Sequence, residues 1–304
     1  MTVNFKDLGR ELSNWGRWGP QDQIGTLNLV TPRHIRAAAA EVRSGKVFQL
    51  SIPVGKDGPQ SGVGGRLNPV HLMSMQPGDW DPHGLQVADD WIVMPLQSGT
   101  QWDALSHVAY DGKLYNGYST DEVGTRFGAR QLAVDALTDR IAGRGVLLDI
   151  ARLLGVEWLD GGAVINPEHL EAAEKAQGVV VGEGDFLLVR TGWRTRLLAE
   201  GRDGWMSTEP GLGIDCARWL YDRAVAAVGS DNWAIEVMPG ETEAMLALHC
   251  ILIRDMGMPL AEILDLEALA NDCAADGRWS FLFVAPPLHI SNAVGSPTTP
   301  IAIK

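Results

Sequence analysis

The residues best suited to chemistry lie within one short segment, from Gln97 to His107. This segment supplies two amides (Gln97 and Gln101), one carboxylate (Asp103) and one imidazole (His107), all of which can bind a hard or borderline cation. Residues two apart share a face of an extended segment, and residues four apart share a face of a helical turn. The spacing therefore predicts that several of these side chains converge on a divalent metal ion. Spacing alone leaves open the alternative that Asp103 caps a helix and His107 packs in the core.

Two residues far along the chain are further candidates. His249 lies on the apolar side of a predicted helix from Glu241 to Met256, so it is either a ligand or a satisfied core histidine. Glu262 follows a turn and lies among aliphatic residues. A carboxylate there needs a partner if it is buried, and the alternative is a solvated loop acid.

The elements that must position these residues follow from the hydrophobic pattern. The apolar run Trp91–Leu96 predicts a buried strand that ends just before the polar cluster. Beyond residue 143, apolar runs alternate with helical segments, which is typical of a mixed sheet covered by helices. The predicted strands cover residues 145–150, 186–189, 224–228 and 281–285, and the predicted helices cover 167–177, 215–223 and 241–256.

These patterns predict a single α/β domain with a mixed, β-rich sheet covered by helices, because no linker divides the later part of the chain. Residues 1–45 are predicted to form an extended N-terminal arm, and residues 46–304 the main domain. The arm either closes over the site or packs on a neighbouring subunit.

Tryptophans accumulate in the first third of the chain and can line a pocket for an organic substrate. Packing in the core or in a subunit interface is the alternative for such residues. The four concerned are Trp15, Trp18, Trp80 and Trp102.

Composition excludes some function classes. The chain has a formal net charge of -13 and a pI near 4.9. A surface of this charge repels phosphate backbones and anionic lipids, so we expect neither a nucleic-acid partner nor a membrane partner. No apolar run is long enough to cross a bilayer, and the N-terminus lacks a signal-peptide pattern. The three cysteines are sparse and scattered, which favours reduced thiols and a cytoplasmic location.

With these residues in place, the chain resembles the cyclase family of metal-dependent hydrolases, which includes bacterial kynurenine formamidase and isatin hydrolase. The family motif H-x-G-T-H-x-D-x-P-x-H aligns with residues 97–107, where its glycine, threonine, aspartate and last histidine match. Gln97 and Gln101 replace the first two histidines, and Leu105 replaces the proline. A second pattern, a helical histidine followed by E-x-L-x-L, matches His249 and Glu262–Leu266. The resemblance spans about residues 48 to 288.

The resemblance implies that residues 46–304 form a cyclase-like catalytic domain with one bound divalent ion, manganese or zinc. Its ligands would be Asp103, His107, His249 and Glu262, with Gln101 as a further oxygen donor. Glutamine in place of histidine shifts the preference towards oxygen-binding ions such as manganese or magnesium. The family also assembles as dimers or tetramers, so a homodimer or homotetramer is expected.

The implied function is hydrolysis of a small cyclic or formylated amide, or of a lactone, by a metal-activated water. His107 or Glu262 would move the proton. Gln97, Trp102 and Trp80 would contact the substrate. Two alternatives stay open: a metal-free relative that binds a small molecule without turnover, and a dehydratase or cyclase on the same fold.

Overall fold

A nine-stranded mixed sheet forms the centre of the computed structural model, which describes residues 4–304. Three two-stranded ribbons lie outside it. The strands in chain order are β1 (Val47–Gln49), β2 (Val70–Met75), β3 (Asp89–Val93), β4 (Gln101–Asp103), β5 (Val123–Gly124), β6 (Gly128–Ala129), β7 (Ala142–Asp149), β8 (Val164–Ile165), β9 (Phe186–Arg190), β10 (Gly211–Leu212), β11 (Ala227–Ser230), β12 (Leu260–Glu262), β13 (Ser280–Val284), β14 (Gly295–Pro297) and β15 (Ile301–Ile303).

Most helices are short, and one of them changes to π-helical geometry. The α-helices are α1 (Phe5–Glu11), α2 (Pro32–Ala39), α3 (Ile150–Leu153), α4 (Pro167–Gln177), α5 (Trp193–Glu200), α6 (Cys216–Asp222), α7 (Ala247–His249) and α8 (Glu267–Asp276). Residues Cys250–Met256 continue α7 as a π-helix. Single 3-10 turns cover Gly25–Leu29, Val63–Gly65, Pro82–Gly84, Tyr115–Gly117, Thr120–Glu122 and Val134–Leu137.

The sheet has a parallel centre with antiparallel flanks. Its strand order is β1-β15-β13-β7-β9-β11-β12-β4-β14. The four strands β7, β9, β11 and β12 run parallel, and every other neighbouring pair is antiparallel. Parallel strands are covered on both faces, which explains why every residue of β9 is buried. This architecture confirms the predicted mixed α/β sheet.

Side-chain alternation along the strands divides the core into two layers. One layer contains Val146, Leu187, Val228 and Leu260, and α4, α6 and the α7–π segment cover it. The other contains Leu147, Phe186, Ala227 and Ala261 and is covered by α8. The first layer is the one that carries the candidate site.

Helix α4 shows how local sequence sets an element. Asn166 accepts a hydrogen bond at the N-terminus in a capping box with His169, and Pro167 occupies the first turn. Gly178 ends the helix at φ +65°, in the left-handed region that glycine tolerates best. The predicted helix over 167–177 is confirmed.

The predicted helix from Glu241 to Met256 is wrong in its first half. Leu246 has φ +62°, and this left-handed residue separates the turns before it from the helix that begins at Ala247. The helical pattern in the sequence cannot reveal a single left-handed residue.

The predicted buried strand at Trp91–Leu96 is also wrong. Residues 89–93 form β3, which pairs with β2 in a separate ribbon and is exposed along its whole length. An apolar run specifies a strand but not its partner, and here the partner lies outside the main sheet. The buried strand of this region is β4, which contains the polar cluster itself.

The β2–β3 ribbon and the loops around it expose an unusual amount of apolar surface. Exposure of these side chains runs from 45% for Leu72 to 64% for Leu67. The set comprises Val63, Leu67, Val70, Leu72, Met73, Trp80, Leu85, Trp91, Ile92 and Val93.

The N-terminal arm packs on the same chain. Asn14 Nδ2 donates to the Met256 carbonyl and Trp15 Nε1 to the Arg254 carbonyl, each at 2.8 Å. Thr26 Oγ1 donates to the Ala226 carbonyl at 2.7 Å. Within residues 4–304, no helix is long and apolar enough to span a membrane.

Candidate metal centre

Pairing between β4 and β12 sets three candidate ligands on one face of the sheet. Gln101 lies opposite Glu262, and Asp103 lies opposite Leu260. Cross-strand partners and residues two apart point the same way, so Gln101, Asp103 and Glu262 face the same layer. All three side chains are buried. Gln101 Nε2 donates to Glu262 Oε2 at 2.6 Å.

His249 completes the cluster from the helix that packs over this face. Its Nε2 lies 3.1 Å from Glu262 Oε1. One potential ligand atom each from Asp103, His249 and Glu262 lies within 4.8 Å of the other two. The predicted convergence of these three residues is therefore present in the structure. His249 is buried and both of its ring nitrogens have carboxylate partners, which agrees with a metal ligand and with a satisfied core histidine. Glu262 is buried on β12 and is not a solvated loop acid.

Glu236, which no sequence pattern marks as a site residue, holds His249 in place. Glu236 Oε1 accepts hydrogen bonds from His249 Nδ1 at 2.7 Å and from the His249 backbone N–H at 2.8 Å. Its Oε2 accepts from the Leu248 backbone N–H at 3.1 Å. The same carboxylate thus orients the imidazole and satisfies the start of its helix. A carboxylate behind a histidine ligand is a recurrent feature of metal sites, because it fixes the ring and its tautomer.

Opposing charges dominate the electrostatics of the cluster. Burial disfavours the imidazolium of His249, but hydrogen bonds to Glu236 and Glu262 outweigh burial and raise its pKa to about 10. Burial, and then the nearby Asp103 carboxylate, raise the pKa of Glu262 to about 7. Two buried carboxylates this close repel each other, and a cation between them would relieve that repulsion.

His107 lies beside Asp103 and outside the group of three mutually close ligand atoms. Its Nε2 is 3.8 Å from Asp103 Oδ2, too long for a hydrogen bond, and its side chain is 19% exposed. Burial lowers the pKa of His107, and Asp103 only partly offsets this. A neutral imidazole with a free nitrogen can act as a ligand or as a proton acceptor.

The donor set fits a divalent cation. Asp103 Oδ1 and Gln101 Oε1 are buried and have no hydrogen-bond partner among the described residues. Unpaired buried acceptors are costly, and a cation would satisfy both oxygens. The available donors are oxygen atoms of Asp103, Glu262 and Gln101 and one imidazole nitrogen of His249. Such an oxygen-rich set suits manganese or magnesium better than a set of histidines would.

The predicted substrate-binding residues are dispersed. Gln97 lies against Gly295 of β14, the strand next to β4, and its Nε2 has no partner among residues 4–304. Trp102 alternates to the opposite face of β4, where its Nε1 donates to the Ala285 carbonyl at 2.7 Å. Trp102 is therefore a core residue facing away from the ligands, which is not where the predicted substrate contact requires it. Trp80 lies in the loop between β2 and β3 and is half-exposed.

Two further charged residues near the cluster belong to no recognisable sequence pattern. Glu209 is fully buried and accepts hydrogen bonds from the backbone N–H groups of Trp233 and Ala234, both at 2.7 Å. Burial raises the pKa of Glu209 well above its usual range. Arg66, in a glycine-rich loop, has its guanidinium 5.7 Å from the Trp233 ring centre. Neither residue belongs to a short motif, so only the folded chain reveals them.

Comparisons with known proteins agree with this architecture. Residues 48–237 match the Cyclase family model, described as "Putative cyclase". A solved structure titled as a novel cyclase is 39% identical, covers 96% of this chain and 99% of its own, and superposes with a TM-score of 0.90. Among curated proteins, none matches the sequence.

More distant structures share the fold. Isatin hydrolase A from Labrenzia aggregata, bound to benzyl benzoate, is 21% identical, with 87% of this chain and 94% of its own covered and a TM-score of 0.65. A predicted metal-dependent hydrolase from Bacillus stearothermophilus is 20% identical, with 84% and 97% covered and a TM-score of 0.56. The family match over most of the chain and the 39% identity to the solved cyclase lead to one conclusion: this chain belongs to the cyclase family.

Proposed function

We propose that this chain is a metal-dependent hydrolase that opens a small cyclic or formylated amide, or a lactone. The observation that carries the proposal is the convergence of Asp103, His249 and Glu262 on one buried point. Asp103 Oδ1 and Gln101 Oε1 are both buried without a hydrogen-bond partner among the described residues, and Gln101 contacts Glu262 through its amide. The proteins of this fold include isatin hydrolases and a predicted metal-dependent hydrolase, which supports the same class of reaction.

One divalent ion would be held by Asp103, His249, Glu262 and the Gln101 carbonyl oxygen. Because most of these donors are oxygen atoms, manganese is favoured over zinc. When bound, such an ion polarises a carbonyl and acidifies a water molecule. Glu236 keeps His249 Nε2 directed at the centre by accepting from Nδ1.

His107 is our candidate for proton transfer. It lies within 3.8 Å of Asp103 but outside the group of three mutually close ligand atoms. Its Nε2 would accept a proton from the attacking water and return it to the leaving nitrogen or oxygen. Glu262 is the alternative proton acceptor. In that case its carboxylate transfers the proton and does not serve permanently as a metal ligand.

The direct test combines metal analysis with activity. Elemental analysis of the purified protein should find about one divalent ion per chain, and a panel of formamides, lactams and lactones should reveal turnover. Asp103→Asn should abolish both ion and turnover. Asp185→Asn is a matched control, because Asp185 is also buried but pairs with Arg144 before β9, at the opposite end of the parallel strands. A protein without a stoichiometric ion, or with metal-independent turnover, contradicts the proposal.

Product mass separates hydrolysis from the other chemistry of this fold. Hydrolysis adds one water to the substrate, whereas dehydration or ring closure removes one. A single product lighter than its substrate by one water would replace the hydrolase proposal with a dehydratase or cyclase.

We also propose that the chain self-associates through the β2–β3 ribbon. A two-stranded ribbon is marginally stable alone, and this one exposes apolar side chains on both strands. Leu72→Glu should shift light-scattering mass towards the monomer. Leu198→Glu, at a single exposed leucine on α5, should leave the mass unchanged. A wild-type protein that is already monomeric refutes this point.

The three buried, unpaired cysteines agree with a proposed cytoplasmic location.

A further inference from the structure

Among residues 4–304, Arg66 forms no ion pair with a carboxylate, and an aromatic ring lies near its guanidinium instead. Its side chain is half-buried, and its guanidinium lies 5.7 Å from the centre of the Trp233 ring. A guanidinium has five N–H donors, and stacking on a ring leaves them free at the edge.

Trp233 contributes a second free donor at the same place. Its indole Nε1 is buried and has no hydrogen-bond partner within the described part of the chain. Buried indole N–H groups normally find an acceptor, so an unpaired one beside an arginine without an ion pair provides two donors suited to an anion. The backbone fixes the position of Trp233, because Glu209 Oε2 accepts from its N–H at 2.7 Å.

This pair of donors lies next to the metal centre. The Asn232 carbonyl, just before Trp233, accepts from the backbone N–H of Ile263, just after Glu262, at 2.9 Å. Trp233, with Arg66 over its ring, therefore lies beside the end of the strand that carries Glu262.

We propose that Arg66 and Trp233 form a carboxylate-binding subsite beside the metal centre. The guanidinium edge and the indole N–H would both donate to the carboxylate oxygens, and the stacked ring would hold the guanidinium in place. The carboxylate has two possible sources within the proposed function on which this inference rests. Cleavage of an amide, lactam or lactone creates one on the product, or the substrate carries one permanently.

A binding experiment tests the subsite without turnover. Benzoate and neutral benzamide would be titrated into the purified protein by calorimetry. We expect benzoate to bind, Arg66→Gln to weaken benzoate about 10- to 100-fold, and benzamide to change less than about twofold. Arg66→Lys should recover part of the loss, because it keeps the charge but not the fork. Arg17→Gln, at an arginine stacked 4.8 Å from Trp18 in the N-terminal arm, should have no effect.

Two results would overturn the inference: no benzoate binding to the wild type, or equal weakening of benzoate and benzamide by Arg66→Gln. The second result would mean that Arg66 only supports the local structure. Because this assay needs no catalysis, it can succeed even where the hydrolase proposal fails.

Kinetics then distinguish the two sources of the carboxylate. A permanent substrate carboxylate predicts that Arg66→Gln raises KM about 10-fold or more for a carboxylated formanilide and not for formanilide itself. A product carboxylate predicts unchanged KM for both substrates and a matching loss of product inhibition.

Discussion

Replacing Glu236 by glutamine tests whether a carboxylate outside the ligand set controls the metal centre. Glu236 accepts three hydrogen bonds, two from His249 at 2.7 and 2.8 Å and one from the Leu248 N–H at 3.1 Å. Glutamine keeps one acceptor oxygen and presents an NH₂ group in place of the other. If the oxygen stays with His249, the NH₂ group faces the Leu248 N–H, and two buried donors oppose each other.

The expected cost follows from these contacts. A buried donor left unpaired costs about 1–3 kcal/mol, and bonds to a charged acceptor exceed those to a neutral one. Loss of a carboxylate behind a histidine ligand typically weakens metal binding about 10- to 100-fold. We therefore expect the Kd of Glu236→Gln for Mn²⁺ to rise by about that factor.

Titration calorimetry of chelator-treated protein with Mn²⁺ measures this Kd directly. Glu174→Gln is the matched control, since Glu174 is also buried and also accepts from a backbone N–H, that of Val181, while pairing with Arg223 away from the site. The control should lose stability but not metal affinity. A Kd for Glu236→Gln within twofold of the wild-type value would refute the assigned role of Glu236.

Three other predictions follow from the same structure. Mn²⁺ at about 100 times its Kd should stabilise the protein by about 2.7 kcal/mol, seen as a rise in melting temperature that EDTA reverses and Asp103→Asn abolishes; an unchanged melting temperature would count against a bound ion. Gln101→His should add an imidazole next to Glu262 and shift the metal preference towards zinc, measured as the ratio of Zn²⁺ to Mn²⁺ affinity, and a constant ratio would argue against Gln101 as a ligand. Asp231→Ala should destabilise the fold by about 3 kcal/mol in urea unfolding, because it removes the acceptor of Thr191 N, Thr191 Oγ1 and Gly192 N, and a loss below about 1 kcal/mol would refute this.

The sequence predicts the polar cluster and the alternating later half of the chain well. Strands such as β9 are continuous apolar runs, and helix α4 is directly flanked by its capping residues Asn166 and Gly178, so local patterns suffice. The resemblance to the cyclase family predicts that His249 and Glu262 lie close to Asp103. Spacing alone could not predict this, because more than 140 residues separate Asp103 from the other two.

The remaining features depend on contacts between distant segments. Glu236 and Glu209 act by accepting backbone N–H groups, and nothing in their neighbouring residues marks this. Trp102 is an aromatic residue beside a ligand in sequence, yet strand alternation turns it to the opposite face. The burial of β3 was predicted from its apolar residues, but burial depends on what covers a strand, and the sequence of the strand does not specify that.

The π-helix after His249 links the N-terminal arm to the candidate metal centre through hydrogen bonds. The Arg254 carbonyl accepts a hydrogen bond from the Trp15 side chain, and the Met256 carbonyl accepts one from the Asn14 side chain. A shortened chain that lacks these two donors would leave the far end of the ligand helix loose, although the missing segment touches no ligand. Truncation past Trp15 is thus expected to perturb the candidate metal centre, and preparations of the protein that differ only in this truncation need not be equivalent.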